Sequence, residues 1–431
     1  MGKVIVLGGY GLIGSACMIA LRDAGFSVTG VGRSKPSALK ADPSADWVIR
    51  DIPSITVDEW RGLLSGVDVV VNASGALQDG ARDDLAAIHV TALSRLAEAA
   101  AGLPLRIVQI SAAGVSQDAS TAFFRTKAQG DAILCASALD WVILRPTLVL
   151  SPDAYGGTAL LRAASAVPML APRIMPDAQV QTVYVGDVAN AVVAAARGRV
   201  PSRLIADLTE RGTRSFPELT DRVRRWQGWP EPRFRPRVPG FVVAALGKGA
   251  DLLGYLGWRS PLRTTALRAL QDGIVGDPDA WENAGGSPCR SLDETLALLP
   301  ATRQERLFAR AYLALPLAIA TLSLFWCLTG LITLLDPARA MAILTARAAP
   351  DWTVGPSVIG GALADLALGL AILWRRWTKP AALGMLGLSG AYLIGSLVAA
   401  PDLWADPLGP MVKVFPGMAL AAMVWLLMEE R

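Results

Sequence analysis

The chain opens on an apolar run, Val4-Ile5-Val6-Leu7, followed at once by Gly8-Gly9-Tyr10-Gly11-Leu12-Ile13-Gly14 and a further apolar stretch through Leu21. A short β-branched run, a glycine cluster and then a helical pattern predict strand, turn and helix. The alternation recurs, with apolar runs at Ser27 to Val31, Trp47 to Ile49, Val67 to Val71, Arg106 to Ile110 and Trp141 to Leu144 separated by segments that suit helices. That rhythm predicts an α/β fold built on a doubly wound parallel sheet.

Beyond about Arg310 the pattern changes. Four apolar segments, Ala311 to Leu335, Val354 to Trp374, Ala381 to Ala400 and Met411 to Met428, are each about long enough to cross a hydrocarbon core of about 30 Å. The first and third carry no charged residue, whereas a soluble bundle needs a polar face, so a C-terminal four-helix transmembrane bundle is predicted. Composition agrees: 52% hydrophobic and 18% charged residues, with mean hydropathy +0.40, suit a chain partly dissolved in lipid. Asp365 falls near the middle of the second segment, where a carboxylate is costly and must face a partner or a polar cavity. Lys413 is expected to snorkel to the outer surface and Pro416 to bend the last helix.

Between the halves, from Ser151 onward, proline, arginine and tryptophan become more frequent. Ser215 to Trp226 reads as a helix with a serine N-cap and Pro217 in its first turn. Phe241 to Trp258 is apolar but interrupted by Lys248, Asp251 and glycines, and follows a basic stretch at Arg233, Arg235 and Arg237. Two readings fit it: an interfacial helix on anionic headgroups, or a core helix roofing the cleft. The predicted organisation is an α/β domain over 1–305, its lobe at about 200–305, and a membrane domain over 306–431.

Other chemistry is narrowed by what the chain lacks. Cys17, Cys135, Cys289 and Cys327 are scattered without a CxxC pair, so neither a disulfide framework nor a metal site is expected. The single histidine, His89, sits in a helical pattern and reads as structural rather than catalytic. A net charge of +4 without a nucleic-acid motif gives no reason to expect nucleic acid. The first residues lack the charged and hydrophobic regions of a signal peptide.

The glycine cluster fits both Gly9-x-Gly11-x-x-Gly14 and Gly8-x-x-Gly11-x-x-Gly14. Glycines there let backbone N–H groups approach a pyrophosphate whose charge the helix N-terminus stabilises, with Tyr10, Leu12 and Ile13 filling between them. The second strand ends at Gly32-Arg33-Ser34, where a carboxylate would accept from a free ribose hydroxyl. A guanidinium instead pairs with a 2′-phosphate, so Arg33, assisted by Lys35, favours NADP over NAD. Gly8, Arg33, Asp51, Asn72 to Gly75 and Ser111 all fall at the carboxyl ends of strands, where such sheets bind ligands.

With these features the first 300 residues or so resemble the atypical short-chain dehydrogenases of the epimerase/dehydratase group, and are similar to the NADPH-binding accessory subunit of respiratory complex I. The fold implied is the Rossmann fold. The resemblance implies Asp51 near the adenine, Ala73, Ser74 and Gly75 along the cofactor, and Ser111 and Lys127 as catalytic residues, with Lys127 also on the nicotinamide ribose. Leu144-Arg145-Pro146 and Tyr184 to Ala189 match family signatures near the substrate cleft. The family's tyrosine, four residues before its lysine, is here Phe123. Phenylalanine exchanges no proton, so cofactor binding is better supported than the usual carbonyl chemistry.

Residues from about 306 to 431 resemble the DoxX-like membrane family, most clearly at Asp406-Pro407-Leu408-Gly409-Pro410 and Lys413. Arg303, Arg306, Arg310, Arg375, Arg376, Lys379 and Arg431 lie on one side of the spans, against Arg339, Arg347 and Lys413 on the other. The positive-inside rule then predicts a multi-pass protein of the cell inner membrane, its nucleotide-binding half and both termini cytoplasmic. Two functions follow as expectations. One is an NADP-dependent oxidoreductase acting on a quinone or lipid-derived carbonyl. The other is a non-catalytic NADPH-binding subunit or redox sensor docked to a membrane protein complex.

Overall fold

The computed structural model describes residues 2–77, 84–258, 260, 262–347 and 349–428. The chain forms two compact units, Met1–Asp251 with Ser260–Arg306, and Leu252–Arg259 with Leu307–Arg431.

The first unit is organised by strands β1 (Lys3–Leu7), β2 (Ser27–Gly32), β3 (Asp46–Ile49), β4 (Val69–Asn72), β5 (Arg106–Ile110) and β6 (Asp140–Pro146). A seventh strand, Leu204–Leu208, completes a wholly parallel sheet in the order Leu204–Leu208, β6, β5, β4, β1, β2, β3. Helices α1 (Leu12–Asp23), α2 (Lys35–Ala41), α3 (Val57–Leu63), α4 (Ala92–Ala100) and α5 (Ala122–Ala136) connect the first six strands.

The apolar runs are continuous because both faces are covered. Within β1, Val4 and Val6 enter one core with Cys17, Met18 and Leu21 of α1, while Ile5 and Leu7 enter another with Trp60, Leu93 and Leu96. Residues i and i+2 share a face, so a run without polar alternation is what a central strand requires. Full burial of each such side chain stabilises by about 1.5–3 kcal/mol. The strand order reverses between β1 and β4, which opens a crevice at their carboxyl ends.

The helices Arg303–Leu335, which belongs to the second unit from Leu307 onward, Asp351–Ala371 and Arg375–Ala399 are long and apolar enough to cross a membrane. Small residues let them approach closely: a Cβ on Gly330 would stand 2.5 Å from the Ala362 carbonyl oxygen, and one on Gly369 2.9 Å from the Cys327 nitrogen. Ser323 Oγ donates to the Gly369 carbonyl at 2.7 Å. The fourth apolar segment is helical only over Val414–Leu427, 14 residues or about 21 Å. Pro416 therefore does not bend it as expected; it lies in the first turn, where its missing N–H costs nothing. Lys413 caps that helix and is exposed. Asp365 has found a partner, Tyr392 of the neighbouring helix, whose hydroxyl donates to its Oδ1 at 3.0 Å.

Candidate nucleotide-binding site

The glycine turn links β1 to α1 at the crevice. Gly8 has φ +71°, and a Cβ on it would stand 2.9 Å from the Ala73 carbonyl oxygen, so the turn after β1 lies directly against the one after β4. Gly8 O accepts from Gly11 N at 2.8 Å, and a Cβ on Gly14 would stand 2.1 Å from that same oxygen. A Cβ on Gly9 would meet Met18 Sδ at 2.6 Å. Gly11 caps α1 without a side-chain partner, which leaves the first-turn N–H groups of Leu12, Ile13 and Gly14 directed out of the turn. A cradle this bare, at a helix N-terminus and a strand-order reversal, fits a pyrophosphate.

Tyr10 has a use that spacing alone does not reveal. Its hydroxyl accepts from Arg33 N at 3.2 Å, and its ring covers Gly32 so closely that a Cβ there would stand 2.2 Å from it. The aromatic ring thus ties the glycine turn to the end of β2 and fixes where Arg33 begins. Arg33 and Lys35 are exposed, and Ser34 caps α2 by accepting from Ser37 N. Asp51 is exposed two residues beyond the end of β3.

Along β4, Asn72 Nδ2 donates to Gln109 Oε1 while its Oδ1 accepts from the Ser74 amide and hydroxyl. This fixes the Ala73–Ser74–Gly75 backbone beside Gly8. Gly75 is exposed, and a Cβ on it would lie 3.3 Å from His89 Nε2 and 3.5 Å from Lys127 Nζ.

Lys127 lies on α5, buried, with Nζ donating to the Ile110 carbonyl at 2.8 Å. Burial pulls its pKa down to about 8, partly countered by Asp131. Ser111 is buried too, but its hydroxyl donates to Asp131 Oδ2 at 2.8 Å. Asp131 also accepts from Arg145 at 2.9 Å, and burial pushes its carboxyl above the usual range against those contacts. The two expected catalytic residues are therefore neighbours, yet the serine is held by an acid–arginine pair. Sequence spacing could not have shown this, because Asp131 is 20 residues away and on another element. Phe123 lies edge-on to His89 with centroids 5.8 Å apart.

His89 bridges two elements. Its Nε2 accepts from Ala76 N at 3.4 Å, and its Nδ1 pairs with Thr126 Oγ1 at 2.9 Å, while Thr126 donates onward to the Phe123 carbonyl. That arrangement requires the proton on Nδ1. Burial, and then Lys127, lower its pKa to about 3, so the ring is a neutral clamp.

The parallel sheet, its reversal point and the bare glycine turn define a Rossmann-type fold with a crevice that fits a dinucleotide. Residues 8–197 match the NAD(P)H-binding family and residues 323–422 the DoxX-like family. The chain is thus an NAD(P)-binding domain followed by a DoxX-like domain. No curated protein matches it in sequence. Among solved structures it is similar to the enzyme WbmH of Bordetella bronchiseptica, in complex with NAD+, at 20% identity and TM-score 0.53, over 69% of this chain and 97% of that one. It is also similar to UDP-glucose 4-epimerase of Thermotoga maritima, with UDP-glucose, at 17% identity and TM-score 0.51, over 72% and 99%. An epimerase of Methanothermobacter thermautotrophicus aligns at 16% identity and TM-score 0.53, over 72% and 93%. At these identities the likeness is one of fold.

Proposed function

We propose that this chain is a membrane-anchored oxidoreductase of the short-chain dehydrogenase type, using NADPH in preference to NADH and passing reducing equivalents to a lipophilic acceptor, a quinone. The observation that carries this reading is Phe123 in the place of the proton-exchanging tyrosine while Lys127 stays buried beside Gly75. In its binding role the glycine turn holds the pyrophosphate, Arg33 the 2′-phosphate, Asp51 the adenine end, Ala73 to Gly75 the length of the cofactor, and Lys127 the ribose. A bound nicotinamide supplies hydride. A quinone accepts hydride and one proton from water to give the hydroquinone, so no phenol is needed, whereas an isolated carbonyl gives an alkoxide that must be protonated in place. Spans that cross the cell inner membrane, with the nucleotide-binding half and both termini cytoplasmic, tether the chain to the phase in which such a substrate dissolves.

One observation favours a second reading, a cofactor-holding subunit or redox sensor within a membrane complex: the Ser111 hydroxyl is committed to Asp131. The discriminating experiment is NADPH oxidation by the full chain in nanodiscs, supplied with quinones or lipid carbonyls. The oxidoreductase reading expects turnover with quinone and little with carbonyls, with Phe123→Tyr raising the carbonyl rate. Wild-type protein that binds NADPH but oxidises none, beside an active Phe123→Tyr variant, would leave the sensor.

A further inference from the structure

We propose that the helix Gly240–Tyr255 lies on the bilayer surface and forms, with the basic segment before it, a lipid-docking face. Only Val243, Gly247 and Ala250 of this helix are buried, a single stripe at spacings of four and three. Opposite that stripe, Phe241 is 77% exposed, Leu252 67% and Tyr255 88%. Eleven residues are close to three whole turns, so Phe241 and Leu252 share one line along the helix, with Lys248 between them. A core helix does not present phenylalanine, leucine and tyrosine to water on the side away from its packing stripe, and an apolar face of this kind marks a contact.

The occupant is argued from where the helix goes. Leu252–Arg259 belongs to the unit that carries the membrane spans. There the Leu256 carbonyl accepts from Arg375 N at 3.0 Å, and Trp258 Nε1 donates to the Leu373 carbonyl at 2.6 Å. Leu373 lies within, and Arg375 directly follows, the short turn between the spans Asp351–Ala371 and Arg375–Ala399, which must lie at a polar boundary of the bilayer. Tyr255, one residue before Leu256, is thereby held at that boundary, and an amphipathic tyrosine suits such a level.

Charge agrees. Arg233 and Arg237 precede the helix and Lys248 lies on its exposed face; all three are exposed and without an acidic partner among the described residues. The acids nearby are already engaged, Asp251 by Arg263 and Thr264, and Asp221 and Glu231 by Arg235. Phe234, itself 62% exposed, stands between the two free arginines. Apolar side chains interleaved with unpaired cations fit anionic headgroups over acyl chains.

The test uses the full chain in nanodiscs of mixed anionic and zwitterionic lipid, in a Cys135→Ser background, with one nitroxide at Phe241→Cys, at Leu252→Cys or, as a reference on an exposed surface of the sheet domain, at Glu98→Cys. All three positions are exposed, so the substitutions leave the core intact. We expect the ratio of oxygen to nickel-chelate collision rates at 241 and 252 to exceed that at 98 several-fold, and to fall when Arg233→Glu and Arg237→Glu are combined. Ratios at 241 and 252 equal to that at 98 would overturn the proposal. So would labels shielded from both reagents, which would instead indicate a protein partner or a second copy on this face.

Discussion

At the scale of single residues, the candidate site is a set of close approaches that a sequence announces only in part. The glycines were legible because a helix N-terminus can meet an anion only where side chains are missing, and Gly8, Gly11 and Gly14 stand where that is required. Tyr10 over Gly32 and Ser111 on Asp131 were not, since each joins residues 20 or more apart whose meeting depends on strand order. Two outcomes test this level. Gly14→Ala sets a Cβ against the backbone of Gly8 and should cost about 1–3 kcal/mol while abolishing nucleotide binding. Thermal unfolding with and without NADPH reads both effects, and an undiminished ligand-induced shift would contradict the cradle. His89 is the only histidine, so the chain has a single imidazole Hε1 signal to follow by NMR. Because its folded pKa is about 3, that signal should not titrate between pH 5 and 8. The unfolded chain takes up the proton first, near its ordinary pKa of about 6.5, so His89's contribution to stability is lost as pH falls from there toward 3. A midpoint between pH 6 and 7 would show that the ring is no neutral clamp.

At the scale of elements, six strands of the main sheet were readable from their short apolar runs, which in β1 and β4 are buried on both faces, whereas β3 at the sheet edge is only half-buried. The seventh, Leu204–Leu208, was not: it is interrupted by Asp207 and follows the variable lobe, so nothing local marks it as a sheet strand. The three helices long and apolar enough to cross a membrane were evident from their length and scarcity of charge, whereas the fourth is shorter than its apolar segment. Asp365 stood out in the sequence as needing a partner, but Tyr392 could not be named until the two helices were placed side by side. A hydrogen bond between membrane helices is worth about 0.6 kcal/mol on average and up to about 1.7. Tyr392→Phe should lower the unfolding midpoint in detergent, while Asp365→Asn, which keeps an acceptor for the hydroxyl, should retain most of it. Wild-type stability for Tyr392→Phe would show that the pair does not hold these helices together.

For the whole molecule, one chain carries both an NAD(P)-binding domain and a DoxX-like domain whose helices are long and apolar enough to cross a membrane. Cofactor choice belongs to this scale because it decides which cellular pool the membrane protein draws on. Arg33→Asp should weaken NADPH about tenfold or more, the loss of a charge-assisted contact, and leave NADH little changed or improved. Competition binding with both nucleotides checks that reversal. The most direct measurement is isothermal titration of NADPH, and then NADH, into the full chain in nanodiscs. The account predicts one NADPH bound per chain with NADH weaker, and no heat of binding by either nucleotide to the wild-type protein would contradict it.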